Sequence, residues 1–214
     1  IPIAAGCGEI EVAGEPICWS PEQPMLYDVL VEAGGDRVRD RVGFREIAVR
    51  GTEILLNGEP VYLRGMCVHE DDEHLGRVTT REDVARRLAH AKELGCKFLR
   101  LVHYPHHEWM AQMADEIGIM LWSELAVYWA IDFANPATLG DATNQLSELI
   151  LRDRNRASVV IWGLGNENAD TDARLRFMSS LVRTARALDA TRLVSAACLI
   201  DRAAKRIADR LVEA

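Results

Sequence analysis

Apolar and polar positions follow two periods along the chain. Through residues 1–50 the spacing is that of strands. Trp19-Ser20-Pro21-Glu22-Gln23-Pro24 is rich in turn formers, and Leu26 to Val31 then predicts a strand. Gly34-Gly35-Asp36 supplies a hairpin turn, and Arg37 to Val49 carries further strands around Gly43-Phe44-Arg45. A β-sandwich needs about seven strands, so this stretch is expected to be the last part of one. Asn57-Gly58, between Ile54-Leu55-Leu56 and Val61-Tyr62-Leu63, predicts a second hairpin that Pro60 keeps at a sheet edge.

From there strand and helix patterns alternate. The first strand is expected over Val61 to Met66, running into Val68-His69-Glu70-Asp71-Asp72. Thr80 caps a helix with Glu82 and Asp83 in its first turn, an apolar face of Val84, Leu88, Ala91 and Leu94, and Gly95 at its end. Lys97 to Val102 predicts the second strand, and Trp109, Met113 and Ile117 stripe the helix that Gly118 closes. Ile119 to Trp122 is the third strand, ending at Ser123-Glu124. A long loop with Tyr128, Trp129 and Asn135-Pro136 leads to a helix from about Asp141 to Arg156, with Leu146, Leu149 and Ile150 inside. Val159 to Trp162 makes the fourth strand, followed by a helix striped by Leu175, Met178, Val182, Ala185 and Leu188. Leu193 to Cys198 makes a fifth, and Asp201 starts another helix.

Parallel neighbours need helical crossovers, so this alternation predicts a parallel α/β sheet. Both a doubly wound sheet and part of an eight-stranded barrel fit. No glycine-rich phosphate loop opens a helix, which disfavours a nucleotide-binding sheet and gives no reason to expect a cofactor. Ionisable groups recur instead at successive strand ends: His69-Glu70-Asp71, Arg100 with His103, Glu124, and Asn166-Glu167. Such a row suits a barrel mouth. Residues 51–214 are therefore expected to form the N-terminal part of a (β/α)8 barrel.

Within that row, Glu167 stands out. The apolar run Val159-Val160-Ile161-Trp162 ends, past Gly163 and Gly165, in Asn166-Glu167-Asn168. A carboxylate at the end of a buried strand is costly without a polar pocket or a task. Glu167 is thus a candidate acid/base. The alternative is a helix start in which Asn166 or Asn168 caps and Glu167 favours the dipole. The local pattern alone does not separate the two.

Composition narrows the partners. The 214 residues are 49% hydrophobic and 27% charged, with a net charge of −8 and no basic cluster, a balance that argues against nucleic acid. No apolar run approaches the about 18–20 residues of a membrane helix. The five cysteines (Cys7, Cys18, Cys67, Cys96, Cys198) lack zinc-ligand spacing and read as reduced core residues, which fits a cytoplasmic setting. Beginning at Ile1-Pro2-Ile3 and stopping at Glu213-Ala214 within a helical pattern, the chain reads as a piece of a longer protein.

Several longer segments, in order, resemble glycoside hydrolase family 2, the β-galactosidase and β-glucuronidase family. Trp19 to Tyr27 and Val42-Gly43-Phe44-Arg45 resemble the end of its immunoglobulin-like domain, which would make residues 1–50 the C-terminal part of that β-sandwich. Leu55 to Pro60, Arg64-Gly65 and His69-Glu70-Asp71 resemble its entry to the barrel. Arg100-Leu101-Val102-His103-Tyr104-Pro105 resembles the segment after its second strand, and Arg152 to Asn155 with Ser158 to Glu167 resembles the signature around its acid/base.

The resemblance implies a retaining β-glycosidase with Glu167 as general acid/base after strand four. Its nucleophilic Glu would follow strand seven, beyond Ala214, so the isolated chain is expected to be inactive. It further implies that Arg100 orients the nucleophile, that His69 and His103 bind sugar hydroxyls, and that Asn166 holds the 2-hydroxyl. Glu124 matches the family's strand-three acid, with Ser123 where an Asp is common. A β-glycoside or oligosaccharide is the implied substrate, with a lean towards glucuronides. Two rivals remain: a metal-dependent barrel hydrolase on His69, Glu70, His103 and Glu124, and a carbohydrate-binding barrel without chemistry. An open half-barrel would expose the edge of strand five, which predicts self-association. His106 and His107 are expected at a surface helix start.

Overall fold

A computed structural model describes residues 14–77 and 79–199. The helix expected from Asp201, and Cys7, lie outside them. Tyr27–Ala33 (β1) and Asp36–Val42 (β2) form an antiparallel hairpin. Its turn residues Gly34 and Gly35 have φ of 59° and 96°, the left-handed region that glycine enters freely. Ile47–Arg50 (β3), Glu53–Leu56 (β4) and Glu59–Pro60 (β5) form a second antiparallel sheet with Pro60 on its edge strand, as expected.

The main sheet begins later than the sequence suggests. Val61 donates its N–H to the Ile54 carbonyl and so stays with the hairpin, and the Arg64 N–H folds back onto Tyr62. The parallel strands are Gly65–Val68 (β6), Phe98–Leu101 (β7), Met120–Glu124 (β8), Val159–Asn166 (β9) and Leu193–Ala197 (β10), adjacent in that order. Between them run Arg81–Glu93 (α1), Glu108–Ile117 (α2), Pro136–Asp153 (α3) and Asp172–Leu188 (α4). A doubly wound sheet reverses its strand order at a switch point. Here the order never reverses, so right-handed crossovers put every helix on one face. The sheet is a segment of a (β/α)8 barrel.

Helix boundaries follow their caps. Thr80 and Asp83 close a reciprocal capping box at α1. In α3 the start moves forward to Pro136, because Asn135 accepts the Ala137 N–H and Pro136 occupies a first-turn site that needs no donor. The buried face of α2 is Met110, Ala111, Ala114 and Asp115, one position round from the expected stripe, whose Trp109, Met113 and Ile117 are half-buried. Likewise α4 buries Arg174, Phe177 and Leu181 beside the expected Met178 and Ala185.

Two cores result. One lies between sheet and helices and includes Leu88, Leu99, Met110, Leu121, Leu146, Trp162 and Leu181. A second, with Trp19, Leu56, Phe98, Met120, Val160 and Ile161, packs the N-terminal ends of the parallel strands against β3 and β4. Each such side chain contributes about 1.5–3 kcal/mol on burial. Arg45 fastens this end by donating to the carbonyls of Ala157, Val159 and Thr191. The site must then lie at the opposite, C-terminal ends of the strands. Of the cysteines, Cys96 is buried, but Cys18 and Cys67 are exposed, the first in a loop and the second on the edge strand β6. No helix among the described residues is long and apolar enough to cross a membrane.

Candidate active site

Strand register assembles the polar cluster. Arg100 on β7 pairs with Trp122 on β8, and its guanidinium lies 4.8 Å over that indole. Arg100 Nε donates to Glu124 Oε1 at 2.5 Å, and Nη2 donates to Asn166 Oδ1 at 2.8 Å. The second carboxylate oxygen of Glu124 lies 2.9 Å from His103 Nδ1. With Nδ1 donating there, Nε2 is the His103 atom left for another partner. Glu124 therefore ties β7 and β8 into one charged unit, and Asn166 joins β9 to it.

Gly163 makes this possible. β9 runs on through it, past Trp162 where the strand was expected to end, and only a glycine fits, since any Cβ there would lie 2.1 Å from Trp122 Nε1 and 2.5 Å from Glu124 Cγ.

Glu167 follows directly, and its side chain is exposed. Its N–H donates to the Ala197 carbonyl at 2.8 Å, and Oε2 accepts the Trp129 indole N–H at 3.3 Å. The helix-start alternative fails, because α4 begins at Asp172 with Thr171 as its cap. Asn166 is held by Arg100, and Asn168 Nδ2 donates to the Trp129 carbonyl at 3.0 Å. The loop between β8 and α3 is stitched to β9: Asn166 N–H donates to Val127, and Trp129 N–H to Asn166.

His69 sits at the rim, 53% exposed, edge-on to His103 with ring centres 5.7 Å apart. His106 is buried rather than at the surface, and that burial pushes its pKa down to about 4. Glu70 turns both oxygens to the His107 N–H at 3.0 and 3.1 Å, fixing the start of α2. Of the four residues of the metal reading, His103 and Glu124 are bonded to each other and Glu70 is taken up by the His107 N–H, and no group of three or more His, Cys, Asp or Glu that could hold a metal occurs among the described residues. Sequence reasoning missed the Trp129 contact, because the long loop carries no periodicity to place it.

The family model for the glycosyl hydrolases family 2 TIM barrel domain matches residues 47–213. The chain belongs to glycosyl hydrolase family 2. Its family 2 relatives include a putative β-glucuronidase of Formosa agariphila, 34% identical over 194 residues, covering 83% of this chain and 23% of that protein. A β-galactosidase of Photobacterium profundum is 32% identical over 166 residues, covering 72% and 16%. The crystal structure of a family 2 β-galacturonidase from Eisenbergiella tayi, bound to galacturonate, matches with a TM-score of 0.80 at 35% identity, over 84% of this chain and 33% of that one. This family 2 chain thus spans 16–33% of the length of these proteins.

Proposed function

We propose that this chain supplies the acid/base half of a retaining β-glycosidase site, with Glu167 as the general acid/base. One observation carries the reading: an exposed carboxylate follows β9 directly, next to the Asn166 that is hydrogen-bonded into the Arg100–Glu124–His103 cluster. In the first step Glu167 gives its proton to the glycosidic oxygen as the bond to the anomeric carbon breaks and a second carboxylate attacks that carbon. In the second, Glu167 takes a proton from water, which displaces the enzyme carboxylate.

Glu124 does not fill the nucleophile's role, since both its oxygens are engaged and it is buried. The nucleophile comes from outside these strands, and the chain alone turns nothing over. Asn166, His103 and His69 contact sugar hydroxyls, while Arg100 holds Asn166 and Glu124 holds His103 in place. Hexuronides are the first substrates to test, because the similar solved structures include a β-galacturonidase and a β-D-glucuronidase. With the whole protein and an aryl β-uronide, proton NMR should show the β-anomer of the free sugar first. The α-anomer appearing first would overturn retention.

A further inference from the structure

Three residues other than glycine have positive φ among those described: Asn57 at 53°, Trp129 at 56° and Glu167 at 50°. Asn57 belongs to an Asn-Gly turn, where this conformation is ordinary. The other two are hydrogen-bonded to each other. For bulky residues such conformations persist where the surroundings over-determine them, and they cluster at functional sites. Here the surroundings are visible. The Trp129 N–H donates to Asn166, its carbonyl accepts from Asn168, and the Glu167 N–H is held by Ala197.

This framework presents a large indole to solvent. Trp129 is 61% exposed and stands at 90° to Tyr128, with ring centres 5.5 Å apart. The Trp129 indole N–H reaches Oε2 of the Glu167 carboxyl, the group read as the acid/base.

We propose that Trp129 is a positioning residue for proton transfer by Glu167, and that its exposed face receives the departing group, favouring aryl and pyranosyl aglycones. This rests on the acid/base reading of Glu167. The N–H holds the carboxyl in one orientation, while the ring offers a flat apolar surface beside it. Sugar rings and aryl groups stack on such faces.

The contact itself is read without activity. In the whole protein labelled with 15N-tryptophan, the Trp129 indole resonance should shift in Glu167→Gln, and an indole resonance unmoved by that substitution overturns the proposal. In the whole protein, Trp129→Phe should cost about tenfold more on alkyl than on nitrophenyl glycosides, the scale of one lost charge-assisted hydrogen bond. Trp129→Ala should in addition raise KM for aryl substrates over methyl ones. Equal losses on every substrate would mark Trp129 as merely structural and overturn the proposal. Failure of the underlying reading shows separately, as Glu167→Gln retaining the parent's rate on alkyl glycosides.

Discussion

Arg100 Nη2 lies 2.5 Å from Glu124 Oε1, and the carboxylate side chain is only 1% exposed while the guanidinium is 17% exposed. A carboxylate buried this far is stable only with its counter-charge in place. Arg100→Met and Glu124→Leu should each destabilise the chain by about 3–5 kcal/mol, because each strands one charge. The double variant should cost clearly less than their sum. Urea unfolding of all four proteins measures the coupling, and strict additivity would contradict the pairing.

Two buried groups should give opposite pH slopes. His106 has its pKa lowered to about 4, chiefly by burial, so its contribution is present above the ordinary 6.5 and lost as pH falls through 4. Asp115 has its pKa raised from 3.8 to about 6, again chiefly by burial, so its contribution is present at low pH and lost as pH rises through 6. Between about pH 4 and 6 the two oppose each other, each by at most about 1.4 kcal/mol per pH unit. His106→Gln should gain stability relative to the parent on acidification, and Asp115→Asn should lose it. Urea midpoints across this range at fixed ionic strength report the slopes; two variants sharing the parent's slope would refute the assignment.

Arg174 is fully buried, and no nitrogen of its guanidinium has a hydrogen-bond partner among the described residues. Removing an uncompensated buried charge is favourable when the replacement packs as well. Arg174→Met should therefore raise the unfolding free energy by about 1–4 kcal/mol. A lowered melting temperature would mean that Arg174 is paired after all.

Gly163→Ala places a methyl group against Trp122 and Glu124 at distances no relaxed structure accepts. Overpacking of this kind costs about 1–3 kcal/mol. Because the displaced indole lies under Arg100, turnover by the whole protein should fall further than stability does. A variant with unchanged kcat would show that the cluster does not depend on this close approach.

Much of the architecture was legible because its signals are local. Thr80 with Asp83, Asn57-Gly58 and Gly118 each determine their own turn or cap within a few residues. What escaped depends on partners far along the chain. Small Ala111 and Ala114 carry the buried face of α2 beside Asp115, whose carboxylate accepts the Ser158 N–H, so a count of large apolar residues points to the wrong stripe. The resemblance has Arg100 orienting the nucleophile, and only the register of β7 against β8 reveals that its carboxylate partner among the described residues is Glu124. Asn135-Pro136 read as loop although it is a helix start, because a proline there marks either.

The proton on Glu167 is most directly tested by comparing leaving groups in the whole protein. Glu167→Gln should cut kcat/KM for an alkyl β-glycoside by about a hundredfold or more, the usual share of a general acid. It should leave the first step on a dinitrophenyl β-glycoside close to the parent's rate, since that group departs unaided. An equal loss on both substrates, or none on the alkyl glycoside, would contradict the role assigned to this carboxyl.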